Sequence, residues 1–313
     1  MKKLLKERLF EAFLDEVDGV SCVPASSTPL ELRTQFSPHG LRFPLLHDGI
    51  SPLFLQVNSS GFPPASSRFG PYCDNITGMN WRLPDGRMVR VGERVVKSTT
   101  GYDILRFLLG SGNRYGNPVD YVLRLRPDTG GGGIFRLEGV PGKLSEAVRT
   151  ILHSYYLHWL ESVDWLEGPE APSLRVAVHC PNEEWSVFVD FMQGVAFRHG
   201  LSVDVQPGQN AVGDGLPDLV FKTTPDRVVS LARELANMGD IRCVALCYCA
   251  VVHVYFLGTD NMGARTQTIS KSFAPLVEVL GGDWHSRHVV APLTQIKETA
   301  WIAELEREWG EQP

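Results

Sequence analysis

The chain has 313 residues, 43% of them hydrophobic and 21% charged, with a formal net charge of -6. That is the composition of a soluble globular protein of one large or two ordinary domains. The acidic balance argues against a nucleic-acid surface, and no apolar run is long enough to span a membrane as a helix.

Residues 1–20 open with a basic stretch, but Glu7, Glu11, Asp15 and Glu16 interrupt what would have to be an apolar signal core. Leu5, Leu9 and Phe13 fall on one face, so an amphipathic helix is expected. A turn-rich strand follows, then a short helix with Pro29 in its first turn. Residues 46–80 are rich in Gly, Pro, Ser and Asn without clear periodicity, as in a binding loop or irregular coil. The β pattern at 79–83 and 88–91, joined by Pro84-Asp85-Gly86, predicts a hairpin. A short helix is expected over 103–109, stopped by Gly110, and a strand over 119–125.

The run Asp128-Thr129-Gly130-Gly131-Gly132-Gly133 reads as a linker dividing a unit of residues 1–128 from one of residues 134–313. Beyond it the patterns predict strand 134–137, helix 144–156, strands 163–166 and 174–178, helix 183–199 and strand 201–205. This βαββαβ order fits a ferredoxin-like sandwich, whose sheet is expected to include 134–137 and 252–256. A helix at 226–238, strands within 241–256, a helix near 272–280 and a charged amphipathic helix at 294–309 complete the pattern. No internal repeat is visible.

Two glycines, a charge and an aromatic recur at fixed offsets between residues 92 and 112: Lys97, Gly101, Tyr102, Asp103, Arg106, Gly110 and Ser111. The segment resembles the run K-N-v-A-G-Y-D-L-t-r-L-f-v-G-S-e-G in the FAD-binding domain of the vanillyl-alcohol-oxidase/PCMH flavoprotein superfamily. It looks most like the FAD-binding subunits of glycolate oxidase and similar 2-hydroxy-acid dehydrogenases. Asn58-Ser59-Ser60-Gly61 resembles an N-A-x-G step of that domain, and the stretch from Arg68 to Gly78 resembles its r-Y-G-x-x-x-D-x-v-x-G turn. Ala250-Val251-Val252-His253-Val254-Tyr255-Phe256 resembles a g-v-v-H-v-y-l strand near the end of the cap domain in such proteins.

The resemblance implies an α+β protein: a truncated PCMH-type FAD-binding domain, its second lobe only, followed by a ferredoxin-like α+β cap. It implies that FAD is held by Asn58, Ser59, Ser60, Gly61, Arg68, Gly70, Tyr72, Lys97, Ser98, Thr99, Thr100, Gly101, Tyr102 and Asp103. A pyrophosphate wants converging backbone N–H groups, hence glycines, and a flavin ring wants main-chain contacts and a dry face. Arg68, Lys97 and the cap would border the carboxylate of a small 2-hydroxy acid, and His253 would serve as acid or base because imidazole titrates near neutrality.

Departures from the family pattern shape the expectation. No Gly-rich loop precedes Val23, Pro52-Leu53-Phe54 stands where paired glycines are usual, and Gly112 replaces an acidic residue. Side chains at the glycine positions impede close backbone approach. FAD is therefore expected to be weakly held or absent in the isolated chain. The function expected is that of an FAD-linked oxidoreductase-like subunit of a glycolate or 2-hydroxy-acid oxidase or dehydrogenase complex. A complete flavin or iron–sulfur subunit would be its partner. The alternative is a flavin-free paralogue with a structural or regulatory role.

Each motif also has a plainer reading. Lys97 to Gly101 also suits a strand-to-helix connection in which Thr100 or Ser98 caps the following helix. Gly131-Gly132-Gly133 lacks the Lys-Ser/Thr of a P-loop. His253, with no carboxylate partner identified, reads first as a half-buried strand histidine. His285 and His288, beside Asp283 and Trp284, read as surface histidines, and His153 and His158 lie among packing aromatics. Cys243, Cys247 and Cys249 are expected on one face of a strand as core thiols. No metal site is expected, and a cytoplasmic setting follows from unpaired thiols.

Overall fold

The computed structural model describes residues 9–59, 61–94, 104–109, 111, 114–208, 215–258 and, as backbone, 283–286. The helices expected near 272–280 and over 294–309 lie outside the described residues.

The chain begins in extended form. Strand β1 (Phe13–Asp15) pairs antiparallel with β2 (Val20–Pro24). The helix expected through residue 20 is not formed over residues 9–20. The reason is turn chemistry: the Asp15 carboxylate accepts from the Val17 and Asp18 N–H groups, and Gly19 adopts φ +60°. Phe10 is 7% exposed, packed on Cys22 and Val122 beneath the Arg90 guanidinium.

Helix α1 (Pro29–Phe36) starts in a capping box, with Glu31 N–H donating to Thr28 Oγ1 and Thr28 N–H to the Glu31 carboxylate. It buries Leu32 and Phe36. Strand β3 (Leu41–Arg42) follows, and then the stretch without periodicity folds as three short helices: α2 (Leu53–Ser59), α3 (Ser66–Phe69) and α4 (Tyr72–Asn75). None is long enough to show a 3.6-residue pattern, and side chains hold them. Gln56 Oε1 accepts from His47 N–H while its Nε2 donates to Ser51 O. Asn75 Nδ2 donates to the Phe69 and Pro71 carbonyls.

The expected hairpin forms as β4 (Ile76–Arg82) and β5 (Met88–Gly92). Helix α5 (Ile104–Leu109), β6 (Asn117–Arg124) and β7 (Arg126–Pro127) follow. The first sheet is antiparallel with order β1-β2-β6-β4-β5, and β3 pairs with β7 apart from it. Its core gathers Phe36, Leu45, Trp81, Tyr115 and Tyr121, with the Trp81 indole N–H donating to Tyr115 O.

The glycine run is a strand, not a linker. Strand β8 (Gly130–Glu138) pairs along its length with β10 (Ser173–Pro181). Cβ atoms at Gly131, Gly132 and Gly133 would lie 2.6, 2.4 and 2.5 Å from the carbonyls of Cys180, Val178 and Gln206. Glycine is required there for close strand approach.

The rest comprises α6 (Pro141–Leu152), β9 (Leu160–Glu167), β10, α7 (Trp185–His199), β11 (Ser202–Pro207), β12 (Leu219–Lys222), α8 (Val228–Ala236), β13 (Ile241–Leu246), β14 (Val251–Phe256) and β15 (Asp283–Ser286), in the expected order except for β12 and β15, which the sequence did not lead us to expect. All ladders in the second sheet are antiparallel, in the order β11-β8-β10-β9-β13-β14-β12-β15, so 134–137 and 252–256 share it. Of the three cysteines expected on one strand, only Cys243 lies in β13. Cys247 and Cys249 occupy the turn before Ala250, which is left-handed at φ +57°, where the cap strand it resembles has glycine. Residues 283–286 form a strand at the end of this sheet.

Helices α6, α7 and α8 cover one face of this sheet over an apolar core including Phe135, Trp165, Leu174, Val176, Phe188 and Leu231. The unit built on the first sheet docks on the other face.

Candidate functional site

Strand alternation puts a polar set on that second face: Ser162 and Asp164 from β9, Arg175 and His179 from β10, His253 from β14. All are at most 7% exposed. Buried polar groups require partners, and the docked unit and the strands themselves provide them. Arg175 Nε donates to Asp164 Oδ2 at 3.0 Å, and Ser162 Oγ donates to the same oxygen at 3.1 Å.

A bulge aims one more carboxylate. Ala177 faces Ser162 but Val178 faces Leu160, so Glu161 has no opposite residue. It turns out to meet Arg42 of β3 in an ion pair that is 1% and 10% exposed at its two side chains. Beside it, Arg68 of α3 donates to the His179 carbonyl at 3.2 Å. His179 Nε2 accepts the Thr129 N–H at 3.1 Å and lies 3.5 Å from the Asp128 carboxylate. A nitrogen that accepts an N–H carries no proton, so the ring is neutral here. Burial, then the Arg42 charge, hold its pKa below the ordinary histidine value.

Arg68 and Arg126 flank the Phe69 ring at 5.0 and 5.2 Å. Burial, then Arg124, Arg68 and Arg42, bring the Arg126 pKa down to about 10. The seam between the two units is thus rich in arginine. A cleft of about 310 Å³ opens along it, lined by Arg33, Arg42, Phe43, Asp128 and His179 among others.

Further along the face lies an aromatic cluster. The His47 ring stands 5.4 Å from His253 and 5.9 Å from Tyr72, and Tyr72 stacks on Phe43. His253 is 1% exposed and bonded to the Phe62 backbone. Burial, then His47, push its pKa well below the ordinary value. It lines neither the cleft on the seam nor a second cavity beside α3. His253 is a strand histidine, as its plainer reading expects, but fully rather than half buried.

Of the residues expected to hold FAD, Ser60, Lys97, Ser98, Thr99, Thr100, Gly101, Tyr102 and Asp103 lie outside the described residues. The others are brought near one another but mostly turned inward. Ser59 is 2% exposed and donates to Gln56 O, and Tyr72 is 1% exposed with no hydrogen-bond partner for its hydroxyl among the described residues. Gly70 (φ +79°) makes a turn over Asp74, Gly61 O accepts Tyr72 N–H, and Asn58 is half-buried. These residues do not converge donors on a slot. The sheet face that would have to lie dry against a flavin ring is filled by Phe62, His47 and Tyr72. The described residues therefore do not fit a flavin ring at His253.

The polar seam of Arg42, Glu161, His179, Asp164 and Arg175 was not read from sequence. A signal was present: polar residues alternating with apolar ones along part of a strand, as in Ser173-Leu174-Arg175-Val176. Among the described residues, no group of three or more His, Cys, Asp or Glu side chains is placed to hold a metal, and no helix is long and apolar enough to cross a membrane.

No family model matches the chain. A stretch of 97 residues, 31% of the chain, is 30% identical to mitochondrial D-lactate dehydrogenase [cytochrome] of Arabidopsis thaliana and covers 17% of that protein. A stretch of 117 residues is 24% identical to an FAD-linked oxidoreductase of Mycobacterium tuberculosis, over 36% of this chain and 25% of that one. Among solved structures, a VAO-type flavoprotein from Myceliophthora thermophila superposes with TM-score 0.66 at 14% identity, over 93% of this chain and 64% of the other. The chain therefore has the fold of VAO-type flavoproteins, while its matched stretch spans a quarter or less of these two curated relatives.

Proposed function

We propose that this chain is an FAD-linked oxidoreductase-like subunit of a complex that oxidises a small 2-hydroxy acid such as glycolate. On this reading residues 1–128 are the second lobe of a PCMH-type domain. The sheet from Gly130 onward, with its β11-β8-β10-β9 order and helices on one face, is a ferredoxin-like cap. The D-lactate dehydrogenase match supports the 2-hydroxy-acid class.

Within that reading, one observation bears on the role. The cap face at His253 is closed by Phe62, His47 and Tyr72. This favours the flavin-free form: a structural or regulatory subunit that holds FAD weakly or not at all, with electron transfer in a complete flavin or iron–sulfur partner. The paired charges of the seam then fix the mutual orientation of lobe and cap. The test is to purify the full chain from its own host, release flavin by denaturation, and identify co-purifying subunits. Expected are less than stoichiometric flavin and a co-purifying redox subunit active on glycolate or D-lactate. One flavin per chain, bleached by the acid, would overturn the flavin-free role. A chain with neither flavin nor redox partner would overturn the proposal whole.

A further inference from the structure

Helix α7 carries apolar side chains on both of its faces. The inner face buries Phe188, Met192, Val195 and Ala196 against the second sheet. The opposite, outer face carries Val187, Asp190, Gly194 and Phe197, three or four residues apart and so on one stripe. Val187 is 42% exposed and Phe197 90%. Beside the stripe, Phe191 is partly buried with its ring 4.8 Å from that of Tyr156, which the exposed Tyr155 meets edge-on. One exposed apolar side chain is ordinary. A helix stripe of them, continued by aromatics of the neighbouring turn, marks an interaction surface.

Gly194 sits in the middle of this stripe. A Cβ there would meet no atom within 4 Å, so the packing of the chain itself does not call for glycine. Glycine inside a helix weakens it relative to alanine. What glycine allows at an exposed helix surface is close approach by another backbone.

The charges select the occupant. Asp190 and Arg198 are the charged side chains of α7 apart from His199, which is held by Glu146 and Thr150 of α6. Both are exposed, and neither forms an ion pair or side-chain hydrogen bond among the described residues. They stand eight residues apart in one helix, roughly 12 Å along the axis, too far to pair with each other. Gly194 lies midway between them. When a second α7 crosses the first antiparallel at Gly194, residues equally distant on either side of it meet. Asp190 of each copy then faces Arg198 of the other, and Phe197 of each enters the space between Val187 and Phe191 of the other. Every contact occurs twice, as in a closed two-fold dimer. A parallel crossing would set Asp190 against Asp190 instead. The neighbouring charges do not oppose the antiparallel arrangement: Lys143 and Glu146 of α6 pair with each other, and Glu183 and Glu184 precede the helix, where its dipole favours carboxylates.

We propose that the outer face of α7 is a self-association surface, on which a second copy of this chain docks its own α7 antiparallel about Gly194. This surface lies on the sheet face opposite the seam, so it is independent of the function proposed above, and either can fail alone.

The test is sedimentation equilibrium of the purified full chain. One helix pair buries less than the roughly 1,200 Å² of a standard interface, so a dimer that dissociates at roughly 10–100 μM is expected. Phe197→Asp, at a position 90% exposed, should leave the circular dichroism spectrum unchanged and weaken dimerisation about tenfold or more. Asp190→Arg alone and Arg198→Asp alone set like charges against each other, and each should weaken it about threefold or more. The double exchange, Asp190→Arg with Arg198→Asp, should regain most of what either lost, and it carries the test if Phe197→Asp does not fold. Gly194→Leu should block the dimer without lowering the thermal midpoint of the monomer, since nothing in the chain touches that position. A chain that is monomeric up to roughly 300 μM, whether or not a different subunit binds this face, would overturn the surface. So would a folded Phe197→Asp variant that dimerises as before, or a double exchange no better than the single ones.

Discussion

The two faces of the eight-stranded sheet are equally dry but differently held. On the helix side, Phe135, Leu174, Val176 and Phe188 pack in one apolar cluster. Any arrangement that fills the volume would satisfy them, because apolar burial has no direction. On the lobe side, Ser162, Asp164, Arg175, His179 and His253 are as deeply buried. Each requires a partner at a set distance and angle. Helices can therefore close the first face by area alone. The second is closed only when the other unit arrives in one orientation, with Arg42 opposite Glu161 and Arg68 opposite the His179 carbonyl.

This contrast can be broken experimentally. The largest effect is expected from Asp164→Ala, which strands the Arg175 guanidinium away from water. About 3–5 kcal/mol of stability should be lost in urea unfolding. The double replacement Asp164→Leu with Arg175→Met should restore most of it, since an apolar pair of similar volume needs no partner. A double variant as unstable as the single one would mean that shape, not charge, governs this face. On the helix side, Leu174→Ala should cost about 2–5 kcal/mol through lost burial and the cavity left behind. That loss should be the same at every pH between neutral and mildly acid.

The lobe side should instead be pH-sensitive. His253 and His179 both have folded pKa values below the ordinary 6.5. Below that value the unfolded chain takes up a proton that the folded chain refuses. Their contribution is therefore complete above pH 6.5 and is lost as pH falls toward the folded values. The slope is at most about 1.4 kcal/mol per pH unit for each histidine. Thermal melts from neutral to acid pH check this, and His253→Asn should flatten the slope. An unchanged slope in that variant would remove His253 from the account and leave His179.

Much of the fold could be read locally. The short helix that opens on Pro29, the Pro84-Asp85-Gly86 hairpin and the βαββαβ order after residue 130 appear as expected, because each signal acts within a few residues. The helix expected at the N-terminus gave way over residues 9–20 because the Asp15 turn outweighs the apolar spacing of Leu9 and Phe13. The glycine run misled for a related reason. Glycine serves a flexible connection and a tightly approached strand equally well, and only the neighbouring carbonyls of Val178, Cys180 and Gln206 distinguish the two.

The candidate site was less accessible still. Arg68 was singled out from sequence, but the cavity it lines beside α3 also draws Leu157, Ser162 and Tyr248 from distant parts of the chain. Arg42 and Glu161 stand 119 residues apart, and the bulge that joins them is a register shift between two strands rather than a pattern in either. His253 stood out by its place in a strand, and only the arrival of His47 and Phe62 made it a packed residue. Periodicity, caps and turns are written along the chain because backbone hydrogen bonds and steric limits are short-ranged. Which polar groups meet across the seam, and whether a cavity stays open or is filled, depends on side chains that the chain brings together only when the two sheets dock.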